Sequence, residues 1–197
     1  MYIFDHVAIG CENLADGVAW TEEQLGVKLV QGGQHVHFGT HNMLLGMGDI
    51  YLEVIAKNPD AKPTGRATWF DLDNFEGPPR LANWICRSEN PSAASDITGP
   101  PVQLSRDKLT WELTVPEDGS LPMQGGYPSL LKWGEGITPP SGNLPDSGCH
   151  LTQWIVSHPK AEWLRQHVPI DDARVNFVNG APGFSATITT PDGMRHL

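Results

Sequence analysis

The sequence predicts an α+β fold built from repeated βαβββ units. Three observations point there. The opening run, Tyr2-Ile3-Phe4-Asp5-His6-Val7-Ala8-Ile9, separates into two faces with the period of two that marks a strand. One helix-like segment follows it, and then three more strand-like runs close the first 57 residues. The same rhythm returns twice, with Pro-rich connectors at Pro78-Pro79, Pro100-Pro101 and Pro139-Pro140. On this reading a single domain of 197 residues holds three blocks, 2–57, 80–135 and 148–191, the last a shorter βαββ unit.

Each element has a local cause. In the first strand Ile3, Asp5, Val7 and Ile9 share one face, and Phe4, His6 and Ala8 the other. Asn13 has the side chain of an N-cap, Asp16 lies in the first helical turn, and Gly26 stops the helix as its C-cap. Val18, Trp20 and Leu25 supply the buried side of that helix. Val27 to Val30 reads as a second strand ending at Gly32-Gly33, followed by a His-rich turn with His35, His37 and His41. Asn42 to Leu45 reads as a third strand and Gly46-Met47-Gly48-Asp49 as a hairpin turn. In the fourth, Ile50 to Ala56, Tyr51, Glu53 and Ile55 face one way and Leu52 and Val54 the other. The second block repeats this with strands at Leu81 to Ser88, Pro101 to Leu104, Leu109 to Val115 and Pro128 to Trp133, and a short helix around Pro91 to Asp96. The third has strands at His150 to Val156, Val175 to Val178 and Phe184 to Thr190, with a helix capped by Ser157 and reaching about His167.

Composition narrows the function. With 13 Lys and Arg against 23 Asp and Glu, the chain carries a net charge of -10 and no basic cluster, which disfavours nucleic acid as a partner. No apolar run is long enough to span a bilayer, and the N-terminus lacks the charged and apolar regions of a signal peptide. Cys11, Cys86 and Cys149 are odd in number and without CxxC spacing, which reads as reduced thiols in the cytoplasm. There is no GxSxG elbow, phosphate loop or GxGxxG turn.

The chemistry concentrates in His6 and Glu53. A buried imidazole and carboxylate in two apolar strands must be paired, hydrogen-bonded or metal-bound. Both ligate divalent ions, so half a metal site is one reading. A hydrogen-bonded pair inside a ligand cleft is the other.

Here the chain resembles the glyoxalase-like domain family of the vicinal oxygen chelate superfamily. The resemblance rests on Asp5-His6-Val7, Gly39-Thr40-His41-Asn42, Tyr51-Leu52-Glu53, Gly77-Pro78-Pro79-Arg80-Leu81 and Leu131-Lys132-Trp133-Gly134. It implies paired βαβββ modules whose sheets curl into an open cup around a small molecule. It also implies a divalent metal (Zn, Mn, Ni or Fe(II)) on ligands from the first and last strands of each module, although metal-free members exist. Within that resemblance His6 and Glu53 are the first-module ligands and the catalytic pair. The second-module counterparts fall at Asn83 and Lys132, and a lysine there would repel a cation and pair with Glu53 instead. An alternative register brings His150 from the third block to His6 and Glu53, giving the two-His-one-carboxylate set of Fe(II) oxygenases. His41, Asn42, Tyr51, Asn83 and Lys132 are the residues expected to meet substrate. The implied activity is that of an isomerase or lyase on a vicinal-oxygen substrate. A metal-free sequestering protein and an extradiol-type dioxygenase are the alternatives. Homodimerisation is an expectation of the same resemblance.

Smaller signals remain. His35 and His37 are spaced like ligands on one strand face, but their Gly-rich surroundings read as a surface loop. Arg66 and Arg80 could bind a carboxylate or form surface salt bridges. Of the seven tryptophans, one or two in the middle block could line an apolar pocket. Cys149 and His150 point to opposite faces of a strand and make a poor nucleophile–base pair.

Overall fold

The computed structural model describes residues 1–197. Two βαβββ modules form one eight-stranded sheet. The first comprises β1 (Ile3–Gly10), α1 (Leu14–Leu25), β2 (Val30–His35), β3 (Thr40–Met47) and β4 (Ile50–Lys57). The second comprises β5 (Arg80–Arg87), α2 (Ser95–Thr98), β6 (Pro101–Arg106), β7 (Leu109–Thr114) and β8 (Ser129–Trp133). The strand order is β2-β3-β4-β1-β5-β8-β7-β6, so β1 and β5 meet antiparallel at the centre. Each also pairs in parallel with the last strand of its own module. That pairing, repeated about a pseudo-twofold, curls the sheet into a nearly closed cup.

The third block is β9 (His150–Ser157), α3 (Ala161–His167), β10 (Val175–Val178), β11 (Gly183–Thr190) and β12 (Gly193–His196). It forms a separate four-stranded sheet, β10-β9-β11-β12. The sequence reading lacked β12 and started α3 too early. Ser157 ends β9, and Lys160 precedes the helix without a side-chain cap. Likewise β2 begins at Val30 and runs through Gly32-Gly33 to His35, where a strand over Val27 to Val30 was expected.

Helix α1 matches its predicted caps. Asn13 accepts from the amides of Ala15 and Asp16 at 2.8 and 3.3 Å, and Gly26 turns out at φ 71°. Its Gly17 lies against Cys11 and Val54, where a Cβ would come within 2.3 Å of the Cys11 sulfur. In the second module the helix shrinks to one turn, and the third block takes over the covering role. Trp154 and Phe177 of that block pack edge-on against Phe4 and Trp84, on the back of β1 and β5. This outer face is the main apolar core, and the helices and second sheet exclude water from it.

The inner face is lined by Ala8, Ile55, Ile85, Leu113 and Leu131. A segment between the modules, residues 58–79, plugs it with Trp69, Phe70 and Leu72. Phe38, Trp69 and Phe70 stack in series, with centroids 4.2 and 5.1 Å apart. The strict alternation expected of β1 fails at one residue. Phe4 pairs with Cys86 and His6 with Ile85, which leaves Asp5 as a bulge. Phe4 therefore joins Val7 and Ile9 on the outer face, and Asp5 turns inward beside His6. The three cysteines are free and buried, and Cys149 and His150 diverge as alternation requires. No helix is long and apolar enough to cross a membrane.

Candidate active site

The cup brings His6 and Glu53 together. In the β1–β4 register His6 lies opposite Tyr51 and Ala8 opposite Glu53, so both side chains point into the cup from adjacent strands. His6 Nε2 and Glu53 Oε2 are 3.7 Å apart, and the two residues are only 4% and 5% exposed. That gap is too long for a hydrogen bond and suits a single bridging atom.

Each group is held from behind. His6 Nδ1 lies 2.6 Å from Asp5 Oδ1, so the ring donates there and presents Nε2 to the cup. Asp5 also accepts from Trp133 Nε1 at 3.0 Å. The Arg87 guanidinium lies 3.2 Å away as an ion pair, its Nε–H not aligned for a hydrogen bond. These partners compensate the burial of a carboxylate that is only 1% exposed. Tyr51 stacks on the His6 ring with centroids 4.3 Å apart. Burial, then the neighbouring Asp5 and Glu53 charges, push the Tyr51 phenol well above its ordinary value, so it stays neutral. Glu53 Oε1 accepts from Asn42 Nδ2 at 2.5 Å.

Asn42 links Glu53 to a cation from the other module. Its Oδ1 accepts from the Gly33 amide at 2.7 Å and from Arg106 Nη1 at 3.5 Å. Arg106 also lies 3.3 Å from His35 Nε2. No carboxylate neutralises Arg106, so its charge faces the cavity that Glu53 and His6 line. His35 is buried, and desolvation followed by the Arg106 charge pushes its pKa down to about 3. A neutral ring accepting from Arg106 at Nε2 carries its proton at Nδ1, 3.0 Å from Thr40 Oγ1. The surface-loop reading of His35 is thus corrected. His37 is exposed and hydrogen-bonds Arg66 outside the cup.

Three expected site residues lie elsewhere. His41 alternates with Asn42 along β3, so it faces outward and lines a groove beside α1. Lys132 alternates with Leu131 and Trp133, faces the exterior, and donates to the Glu89 carbonyl at 2.9 Å. It makes no pair with Glu53. His150 is exposed at the start of β9, beside the Gly48 turn, because the third block covers the outer face and not the cup. The two-His-one-carboxylate set is therefore not assembled.

Asn83 sits on β5 at the position equivalent to His6, but it is fully buried, does not line the cup cavity, and has a different partner from the one expected. Ala8, two residues after His6, lies opposite Glu53; Ile85, two residues after Asn83, lies opposite Ser129. Ser129, three residues before Lys132, is thus the counterpart of Glu53. Asn83 Nδ2 donates to Ser129 Oγ at 3.0 Å, and both are buried. A resident zinc or non-haem Fe(II) ion takes three or four strong protein ligands. Here the first module offers two, and the second offers an amide and a hydroxyl already bonded to each other. No group of three or more His, Cys, Asp or Glu side chains converges. The donor set does not fit a resident metal held by both modules.

Asp5, His35, Arg106 and Trp133 are the cup residues that sequence reasoning missed as a set. Trp111 and Trp133, two of the middle-block tryptophans, line the cavity together with Trp69. Arg66 stacks on Phe38 and Arg80 on Phe75, both away from the His6–Glu53 pair. The cavity left in the cup measures about 30 Å³, room for one or two waters.

A family model described as a glyoxalase-like domain matches residues 4–169. Among solved structures, the chain is similar to a hypothetical protein from Staphylococcus aureus at 15% identity and TM-score 0.61, covering 91% of this chain and 86% of that one. It is also similar to a hypothetical protein from Bacillus halodurans at 13% identity and TM-score 0.46, over 70% and 96% of the two chains. A methylmalonyl-CoA epimerase from Streptomyces coelicolor, in complex with 2-nitronate-propionyl-CoA, matches at 15% identity and TM-score 0.43, over 66% and 95%. The first likeness shows the shared fold. No curated protein matches.

Proposed function

Because the chain belongs to the glyoxalase-like domain family of the vicinal oxygen chelate superfamily, we propose that it is an isomerase- or lyase-type enzyme. Its substrate class is a small molecule with oxygens on neighbouring carbons, such as a 2-oxo or 2-hydroxy acid. The observation that carries this reading is the His6–Glu53 pair, braced by Asp5 and Asn42 and facing Arg106 across a small buried cup.

The roles follow from the atoms. Glu53 Oε2 has no hydrogen-bond partner in the cup and takes a proton from the carbon beside the substrate carbonyl. The C–H electron pair moves into a C=C bond, and the carbonyl oxygen becomes an enolate oxygen. Arg106 binds that oxygen or the adjacent carboxylate, and the low-dielectric cup makes the attraction strong. Glu53 then returns that proton to the carbon or to the enolate oxygen and is regenerated as a carboxylate, while His6, oriented by Asp5, presents its bare Nε2 to the cup and accepts a hydrogen bond from a substrate hydroxyl or enol. A positive side chain thus supplies the oxyanion stabilisation that a metal provides elsewhere.

The test is exchange of the C3 hydrogens of 2-oxo acids with D2O, followed by proton NMR. Exchange above the buffer rate is expected, lost at least ~10³-fold in Glu53→Gln, and undiminished after dialysis against a chelator. Full exchange in Glu53→Gln would remove the base from the proposal. Exchange that vanished with chelation and returned with a divalent ion would overturn the metal-independent assignment. Saturable binding with no exchange of any substrate would favour a sequestering protein instead.

A further inference from the structure

A second cavity of about 440 Å³ opens beside the cup, between the 58–79 segment, the start of β5, the loop before β8 and the third block. Its volume falls in the range that holds a small organic ligand, whereas the cup holds a water or two. Trp20, Phe75, Leu121 and Phe184 wall it, with Asn74 and Arg80 at its rim. One residue, Phe70, lines both cavities.

The backbone around this cavity is unusual. Five non-glycine residues in the chain have positive φ, and three of them, Phe70 (58°), Asp71 (56°) and Gln124 (56°), line the outer cavity. A bulky side chain in that region is strained, and such positions gather at ligand clamps and moving elements. Phe70 also sits in a segment without regular secondary structure, at the end of the Phe38–Trp69–Phe70 stack. Trp69 and Phe70 line the cup and leave only about 30 Å³ beside His6 and Glu53.

We propose that the outer cavity is a binding subsite for an aromatic or other planar apolar body of the substrate, whose oxygen-bearing head enters the cup past Phe70. This rests on the proposed function and adds the substrate class: an aryl-extended acid, longer than the cup. The flat walls offer stacking to a ring. A swing of the Phe70 side chain, at the cost of its stacking on Trp69, joins the two cavities.

The experiment uses full-length protein labelled with 5-fluorotryptophan, with pyruvate and phenylpyruvate as probes and fluorine NMR as readout. Trp20 reports on the outer cavity and Trp69, Trp111 and Trp133 on the cup. Phenylpyruvate is expected to shift both sets and pyruvate only the second. Leu121→Trp and Asn74→Trp are expected to weaken phenylpyruvate at least tenfold more than pyruvate. Asn74 is exposed, so its variant carries little folding risk. Phe70→Leu is expected to speed phenylpyruvate exchange between free and bound forms. The proposal is overturned if phenylpyruvate does not bind, if it leaves Trp20 unmoved, or if both filled variants treat the two probes alike. Binding in Glu53→Gln, which should persist, separates failure of the subsite from failure of the chemistry.

Discussion

The two halves of the eight-stranded sheet place different chemistry at equivalent positions. The first module has His6 and Glu53, 3.7 Å apart and open to the cup. The second has Asn83 and Ser129, hydrogen-bonded at 3.0 Å and closed to it. The strand pairings are the same, so backbone geometry alone does not decide which side chains are left free to meet a ligand. Two differences do. The first module adds a carboxylate through the Asp5 bulge, which orients the imidazole. Its Glu53 is held on one oxygen only, so the other remains free for a substrate atom. The second module contributes charge instead, through Arg106 at the end of β6. The site is one-sided in its bases and two-sided in its electrostatics.

Copying the second module onto the first is the strongest way to break this contrast. A His6→Asn, Glu53→Ser double variant should fold, since an amide and a hydroxyl satisfy each other at the equivalent place. Its proton exchange should fall to the buffer rate, a loss of ~10³-fold or more. Retained exchange, measured by the same NMR assay on protein with unchanged circular dichroism, would place the base outside the pair. Next in size is Arg106→Gln. Removing the cup's unpaired cation should cost about 10²-fold in kcat/KM for a 2-oxo acid. A loss confined to an uncharged ketone, or no loss at all, would mean that Arg106 only shapes the wall.

His35 separates the halves by pH. Its folded pKa of about 3 lies below the ordinary 6.5 because burial and Arg106 disfavour the charged ring. The unfolded chain therefore binds a proton that the folded one does not, between those two values. Full stability is present above pH 6.5 and is lost as pH falls toward 3. At about 1.36 kcal/mol per unit, His35 should remove roughly 2 kcal/mol between pH 6.5 and 5. Urea unfolding at the two pH values should show that drop in the wild type and a flatter response in His35→Gln. An equal drop in both would assign the acid sensitivity elsewhere. Ser129→Ala should cost about 1–2 kcal/mol by leaving the Asn83 amide without its partner. Exchange kinetics should be untouched, and a kinetic defect would give the second module a chemical role.

The legible part of the site was the part that followed alternation. Glu53 and Tyr51 share a face of β4 because no bulge interrupts it, and reading every second residue sufficed. Asn13 and Gly26 declared α1 through their own side-chain and backbone chemistry. In β1 the same rule misplaced Asp5, because a bulge shifts the face of every residue beyond it and leaves no mark in composition. His35 and Arg106 meet across 71 residues of sequence, a contact that only closure of the cup creates. The third block's place on the outer face follows from the one-turn α2, which leaves β5 uncovered; the short helix was visible, but not what would replace it.

Lys132 is the sharpest small case. Starting the second module at Leu81 makes Lys132 the equivalent of Glu53, and from there it would pair with Glu53 across the cup. The β5–β8 register instead pairs Ile85 with Ser129, and the three-residue shift turns Lys132 to the exterior. There it is exposed and donates to one carbonyl of Glu89. An exposed hydrogen bond of that kind contributes little, because water replaces it when it is lost. Lys132→Ala should therefore change stability by no more than about 0.5 kcal/mol and leave proton exchange unchanged. If Glu53 depended on this ammonium, the variant would instead shift the pH profile of exchange, because a carboxylate that loses a nearby cation binds its proton more tightly. An unshifted profile would leave Asn42 and His6 as the groups that hold Glu53 in place.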